Sequence, residues 1–295
     1  MPPNRIIRVV RCAALSLAAH LEETVARTVA RRGALAALAA TPLFAWLASG
    51  SAQASTGGTI PKGYAGVDPR TARRIPLWQE LSPRSPIFPG DPEFTSRIWT
   101  TIPESGYLLE QITSLGTHTS THISAPAHFV EGAKFLSELD EDWTLMPLAM
   151  IDARSRVAHQ GGDFSLGVPE LKAWERAHGR IPAGGCVLLL SGFSERYTSA
   201  SGSYFDPAPG FTGEATAWLF DQRGIRAIGA DTFGPDATSD EDFSSTLTAL
   251  QKGGITVENV GPGLEKMRPF GDWISINGGR PKFSGFQMGI TGFTK

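Results

Sequence analysis

The sequence predicts an α/β domain built on a mixed sheet, and three observations carry that expectation. Short apolar runs bounded by glycine and proline recur at 145–151, 187–190, 225–228 and 255–257, with the length and flanks of buried strands. Two stretches of helical character, 168–178 and 213–223, lie between them. Two further segments, 77–83 and 273–277, look like strands joined by glycine turns rather than by helices, which makes the sheet mixed rather than wholly parallel.

Taken in order, residues 1–54 read as a leader with the pattern of a cleaved export signal. Arg31, Arg32 and Gly33 precede an apolar stretch that ends in Ala52-Gln53-Ala54, the charged, apolar and small-residue parts of a signal peptide. The paired arginines resemble a twin-arginine signal. The apolar run of about 16 residues, with Pro42 inside it, is short of the roughly 20 that a spanning helix needs. Cleaved export to the periplasm or the exterior is therefore expected, with no stable membrane insertion afterwards. Residues 1–30 are long for a charged leader, and the pattern offers no physical account of them.

Residues 55–74 are rich in Gly, Pro and Thr and read as a flexible arm. A single domain is expected over 75–295, because nothing after the arm looks like a linker and no repeat of 20 to 50 residues is visible. Within it, the helix at 168–178 is opened by Pro169-Glu170, and the helix at 213–223 carries Ala217, Leu219 and Phe220 and stops at Gly224. Cys186, the one cysteine after the leader, has no intrachain partner there and reads as a small buried hydrophobe at a strand start.

With 295 residues and 41% hydrophobic content, the chain can build a full core. The net charge of −2 hides an asymmetry, since residues 1–54 carry six arginines against Glu22 and Glu23 and leave an acidic remainder. A mildly acidic body without a basic stripe excludes a nucleic-acid partner, because phosphate binding depends on clustered Lys and Arg. A small-molecule substrate is expected instead.

Chemistry concentrates in one place. His118, His122 and His128 fall within eleven residues of a chain that has only six histidines. Such clustering suits a metal site or an acid/base site, because imidazole binds divalent metals when neutral and exchanges protons near neutrality. The plain alternative is a polar loop with three unrelated histidines. Thr117-His-Thr-Ser-Thr-His122 is a poor helix former, so a bent strand end or irregular turn is expected to bring the first two rings together. Pro126 then ends any pairing and aims His128 at the same space.

The segment His118-Thr-Ser120-Thr-His122-Ile-Ser124-Ala-Pro126-Ala-His128 resembles the motif His-x-Gly-Thr-His-x-Asp-x-Pro-x-His of the cyclase family that includes bacterial kynurenine formamidase. Three more matches follow in order: Leu81-Ser-Pro with Pro89-Gly-Asp-Pro92, Gly229-Ala-Asp231-Thr232, and Glu258-Asn259 at the end of 255–259. Together they span about residues 75–290. The resemblance implies the swivelling β/β/α cyclase-like fold and a metal-dependent hydrolase, commonly a homodimer.

Carried over position by position, it makes His118 and His122 metal ligands, His128 the proton carrier and Glu258 a further ligand. Two ligand positions depart: the motif aspartate is Ser124 and an upstream histidine falls on Thr246, while the motif glycine is Ser120. A two-metal site is thereby lost, and His118, His122 and Glu258 remain for a single divalent metal, zinc or manganese. Phe88 stands where the family commonly places a tryptophan against substrate, and with Ser124 it is the expected substrate-binding pair; Phe88 as an ordinary core residue is the alternative. Asp231 is expected beside a ligand histidine or capping a turn, and Thr246 in the surroundings of the metal. Asp240, Glu241 and Asp242 read as a solvated loop or as a substitute carboxylate. Two functions stay open: a metal-dependent hydrolase of a small amide, lactam or lactone, and a metal-free member that binds a small molecule or cyclises by acid/base chemistry.

Overall fold

The computed structural model describes residues 60–68, 70–198 and 202–295. The leader, with its export signal and Cys12, lies outside the described residues.

The strands run in chain order as β1 Arg73–Pro76, β2 Thr95–Thr100, β3 Leu109–Ser114, β4 His122–Ser124, β5 Leu145–Asp152, β6 Ser165–Leu166, β7 Cys186–Leu190, β8 Gly210–Phe211, β9 Ala227–Ala230, β10 Ile255–Glu258, β11 Phe270–Asn277, β12 Gly285–Gln287 and β13 Gly289–Thr294. Nine of them form one sheet in the order β1-β13-β11-β5-β7-β9-β10-β4-β12. The centre, β5-β7-β9-β10, is parallel and the flanks are antiparallel, which is the mixed α/β architecture the sequence predicts.

The central runs are continuously apolar because both of their faces are buried. On β7, Cys186, Leu188 and Leu190 pack with Met150, Ile255 and Val257 on one side. Val187 and Leu189 pack on the other against Leu171 and Trp174 of the helix Val168–His178 and Ala215 of the helix Gly213–Trp218. The first of these helices has the bounds read from the sequence. The second is α-helical to Trp218 and closes as a wider π turn, Leu219–Arg223, with Gly224 left-handed at φ 65°.

Three expectations need correction. The strand expected at 77–83 is displaced to β1, immediately before it, where β13 supplies the pairing edge. The strand expected at 225–228 begins at Ala227 and runs to Ala230. The described part of the arm is held down rather than free: Tyr64 is 1% exposed, its hydroxyl donates to the Leu148 carbonyl at 2.7 Å, and its carbonyl accepts from Trp273 Nε1.

Candidate active site

The site grows from the register of three neighbouring strands. Antiparallel pairing sets Glu258 of β10 opposite His122 of β4 and Thr256 opposite Ser124. On the other side of β4, Gly285 of β12 also faces Ser124. Because side chains alternate along a strand, these residues share one face of the sheet.

His118 reaches that face from the turn before β4. The turn is non-helical, as its β-branched and hydroxylic residues require, and Ser120 within it takes φ 63° where the related motif has glycine. The bend sets the His118 and His122 rings edge to face with centroids 5.1 Å apart. Pro126–His128 forms a short 3-10 turn that lays His128 flat on His118 at 3.8 Å. Gly285 makes room: a Cβ there would stand 2.3 Å from His118 Cε1.

Hydrogen bonds then fix the protons. Thr256 Oγ1 and Ser124 Oγ both donate to Glu258 Oε1, at 2.6 and 2.9 Å. A hydroxyl has one proton, so His118 Nδ1, 3.2 Å from Ser124 Oγ, must be the donor in that pair. The neutral His118 ring therefore offers Nε2 as acceptor to the Ser284 hydroxyl, 3.2 Å away. Burial, together with the charge of His122 and His128, pushes the His118 pKa down to about 3. Burial also lowers that of His128.

His122 is arranged differently. Its Nδ1 donates to the Ser120 carbonyl at 2.8 Å, which leaves Nε2 buried without a hydrogen-bond partner, 3.4 Å from Glu258 Oε2. Burial alone would lower the His122 pKa, but the Glu258 charge outweighs it and raises it. Burial would likewise raise Glu258, yet the charge of His122 brings it down to about 2. Asn259, left-handed at φ 52°, supports the pair by donating from Nδ2 to the same Ser120 carbonyl, while its Oδ1 accepts from Tyr204.

These contacts bear directly on the donors read for a metal. His122 Nε2 and Glu258 Oε2 fit: both are free of hydrogen bonds, and 3.4 Å is about the separation of two donors sharing one ion. His118 does not join them, because serine hydroxyls hold both of its nitrogens. Among the described residues no three histidine, cysteine, aspartate or glutamate side chains converge on one point.

The remaining expected residues are placed as follows. Ser124 is wholly buried and its hydroxyl serves Glu258, so it is not a substrate contact. Phe88 is 41% exposed and lines a cavity of about 670 Å³ together with His118, His128, Thr246 and Glu258. Thr246 sits in the helix Ser244–Gln251 and donates to Asp236 rather than to any metal donor. Asp231 accepts from Ser191 and from the backbone of Gly192 and Ser194, so it holds the turn after β7 and touches no histidine. Asp240 caps the same helix at Ser244 and, with Glu241, lines the cavity.

Sequence reading missed Asp91, Asp236 and the aromatic wall of Phe129, Phe205, Phe233 and Phe243. Asp91 lies inside the Pro-Gly-Asp-Pro match, a signal that was available; the four rings come from separate loops and gave none. Burial raises the Asp91 pKa, and burial with the neighbouring Asp240 raises that of Asp236 to about 6.

Comparison with known proteins bears on the family and the fold. An isatin hydrolase of Roseibium aggregatum is 30% identical over 133 residues, 42% of this chain and 49% of that protein, so the chain spans about half the length of that relative. A kynurenine formamidase of Bacillus cytotoxicus is 29% identical over 189 residues, 63% of this chain and 81% of that one. The solved isatin hydrolase A of Ralstonia solanacearum superposes with a TM-score of 0.67 at 25% identity over 77% of this chain and 93% of its own. A structure from Bacillus stearothermophilus described as a metal-dependent hydrolase shares the fold, with a TM-score of 0.57 at 18% identity over 76% of this chain and 98% of its own. Residues 70–237 match the family model described as Putative cyclase, more than half of the chain, and the chain therefore belongs to the cyclase family.

Proposed function

We propose that this chain hydrolyses a small amide, lactam or lactone above the His122–Glu258 pair. One observation carries the proposal: a buried imidazole nitrogen without a partner faces a carboxylate oxygen at 3.4 Å, beside a cavity of about 670 Å³. The names of the relatives, an isatin hydrolase and a kynurenine formamidase, support it.

The chain's own residues divide the work. The Ser120 carbonyl holds the Nδ1–H of His122 and turns Nε2 toward the carboxylate, where without metal it carries the proton of an ion pair and, once that proton is displaced, can bind a metal as a histidine oriented by a carbonyl does. Thr256 and Ser124 lock one Glu258 oxygen and leave the other free. His122 and Glu258 would hold a divalent ion, zinc or manganese, which supplies polarisation of a carbonyl and an acidified water when bound. His128, neutral and lining the cavity, accepts the proton of the attacking water and returns it to the departing nitrogen or oxygen. Phe88 offers a ring against the substrate. Export through residues 1–54 and assembly as a homodimer belong to the same proposal, supported by the leader pattern and the family resemblance.

A second reading has a specific observation in its favour. The hold of Ser124 and Ser284 on His118 suits a member that works without metal, as a binder or by acid/base chemistry. Hydrolysis of N-formyl anilines, isatin-like lactams and lactones, measured with the metal content of the same preparation, separates the two. Turnover that rises with bound zinc or manganese supports the first reading. Turnover unchanged by a chelator, at less than about a tenth of an equivalent of metal, supports the second, and no turnover on any class overturns the hydrolase.

A further inference from the structure

We propose that the cavity selects a substrate bearing an organic cation, a substituted ammonium group placed away from the bond that is cleaved. The proposal uses the pocket of the hydrolase reading and adds the chemical class of its substrate.

Six carboxylates line the cavity, those of Asp91, Asp206, Asp236, Asp240, Glu241 and Glu258, and among the described residues no lysine or arginine does. Some of this charge is already engaged. Asp206 has Arg196 at 3.4 Å, Glu258 has His122, and Asp236 and Asp240 take N–H and hydroxyl groups at the start of the helix Ser244–Gln251. Asp91 and Glu241 have no side-chain hydrogen bond or ion pair among the described residues.

Rings complete the lining. Phe88 meets Phe233 and Phe243 edge to face, with centroids at 5.6 and 6.2 Å, and Phe129 meets Phe243 at 5.9 Å. Phe88, Phe129 and Phe243 remain 41%, 38% and 37% exposed, so apolar area at the cavity is left uncovered by the chain itself. Ring faces and carboxylates both attract a soft organic cation, and neither attracts an anion. That the place is a site rather than a surface patch follows from a separate observation: the rings and carboxylates surround one cavity of about 670 Å³ into which His118 and His128 also open.

Other occupants fit worse. A bare metal ion needs converging donors, and among the described residues no three histidine, cysteine, aspartate or glutamate side chains converge on one point. A substrate carrying a carboxylate would enter against the uncompensated charge of Asp91 and Glu241 in a lining without lysine or arginine among the described residues. The same field helps expel the carboxylate that hydrolysis of a lactam or lactone creates, so it serves turnover as well as selection.

Three formanilides of matched shape test this: one with a 4-trimethylammonium group, one with its neutral isostere 4-tert-butyl, and one with 4-carboxylate. Calorimetric titration of the full chain should rank them in that order, with the ammonium compound at least about tenfold tighter than the isostere, and with the gap narrowing as salt is added. Glu241→Gln should cut the ammonium preference about threefold and leave tert-butyl binding unchanged; Phe243→Ala should weaken both. Equal binding of ammonium and tert-butyl compounds, or tightest binding of the carboxylate, overturns the proposal. Rates on the same three compounds keep the two ideas apart. Cation-selective binding with no hydrolysis overturns the hydrolase and supports this inference, whereas hydrolysis that favours the neutral or anionic compound overturns this inference and supports the hydrolase.

Discussion

The imidazole of His118 lies flat on that of His128, with ring centroids 3.8 Å apart and planes 20° from parallel. Two stacked rings tolerate protonation badly, and burial lowers the affinity of both for a proton, to about pH 3 for His118. Between about pH 6.5 and 3 the unfolded chain thus binds more protons than the native one at this position. The stability this supplies is complete above about pH 6.5 and drains away as pH falls. His118→Gln should flatten the loss of stability on acidification, seen as a smaller difference between urea midpoints at about pH 7 and pH 4 than in the parent. An equal difference in both proteins would assign the acid sensitivity to other groups.

His128 should show its role in rate rather than in binding. It lines the cavity and burial lowers its pKa, which keeps it neutral near pH 7, the state that the proposed proton transfer needs. His128→Gln is expected to lower kcat by about 10²- to 10⁴-fold while KM stays within a few-fold. A change confined to KM would make His128 a binding residue.

Which parts of this were legible in the sequence follows from the range of the interactions. The strand β7 and the helix Val168–His178 stand out because apolar periodicity and flanking Gly and Pro are local signals. The convergence of His122 with Glu258 is a matter of strand register across 136 residues, and only the family resemblance placed them together. For His118, the hydroxyl contacts were illegible for a related reason. Its partner Ser284 arrives from β12's approach, and the consequence of replacing the motif aspartate by Ser124, a hydroxyl that turns toward Glu258, is a proton count rather than a pattern. The ring of phenylalanines has no spacing in the chain at all.

Restoring the missing ligand types should restore metal affinity. Ser124 is 2.9 Å from Glu258, so an aspartate there sets two carboxylates side by side, which is costly until a cation joins them. Thr246→His adds an imidazole at the cavity wall. The double variant Ser124→Asp, Thr246→His is expected to carry more zinc or manganese per chain than the parent by elemental analysis and to melt at a higher temperature when the metal is added. No gain in either measurement would mean that these positions do not face the His122–Glu258 pair closely enough.

Ser120 holds a left-handed conformation, φ 63°, at a buried position where the related motif has glycine. Its hydroxyl gains little there, a contact of 3.4 Å to the Gln79 carbonyl. Ser120→Gly should therefore be neutral or stabilising by up to about 1 kcal/mol, while Ser120→Val, β-branched, should cost about 2 kcal/mol or more. Chemical denaturation of both variants tests the sign; destabilisation by glycine would show that the weak hydroxyl contact outweighs the strain.

Gly285 is the last test, because it separates space from conformation. It faces Ser124 across the strand pair, and a Cβ there would stand 2.3, 2.7 and 2.9 Å from His118 Cε1, Nδ1 and Nε2. The ring cannot simply swing away, since Ser124 and Ser284 hold its two nitrogens and His128 covers its face. Gly285→Ala should thus break both hydroxyl contacts and the stack, at a cost of about 1–3 kcal/mol. If that cost comes from the collision, removing the ring must relieve it: in His118→Ala, the further change Gly285→Ala should cost less than about 0.5 kcal/mol. Equal costs with and without the imidazole would place the requirement for glycine in the β12 backbone instead.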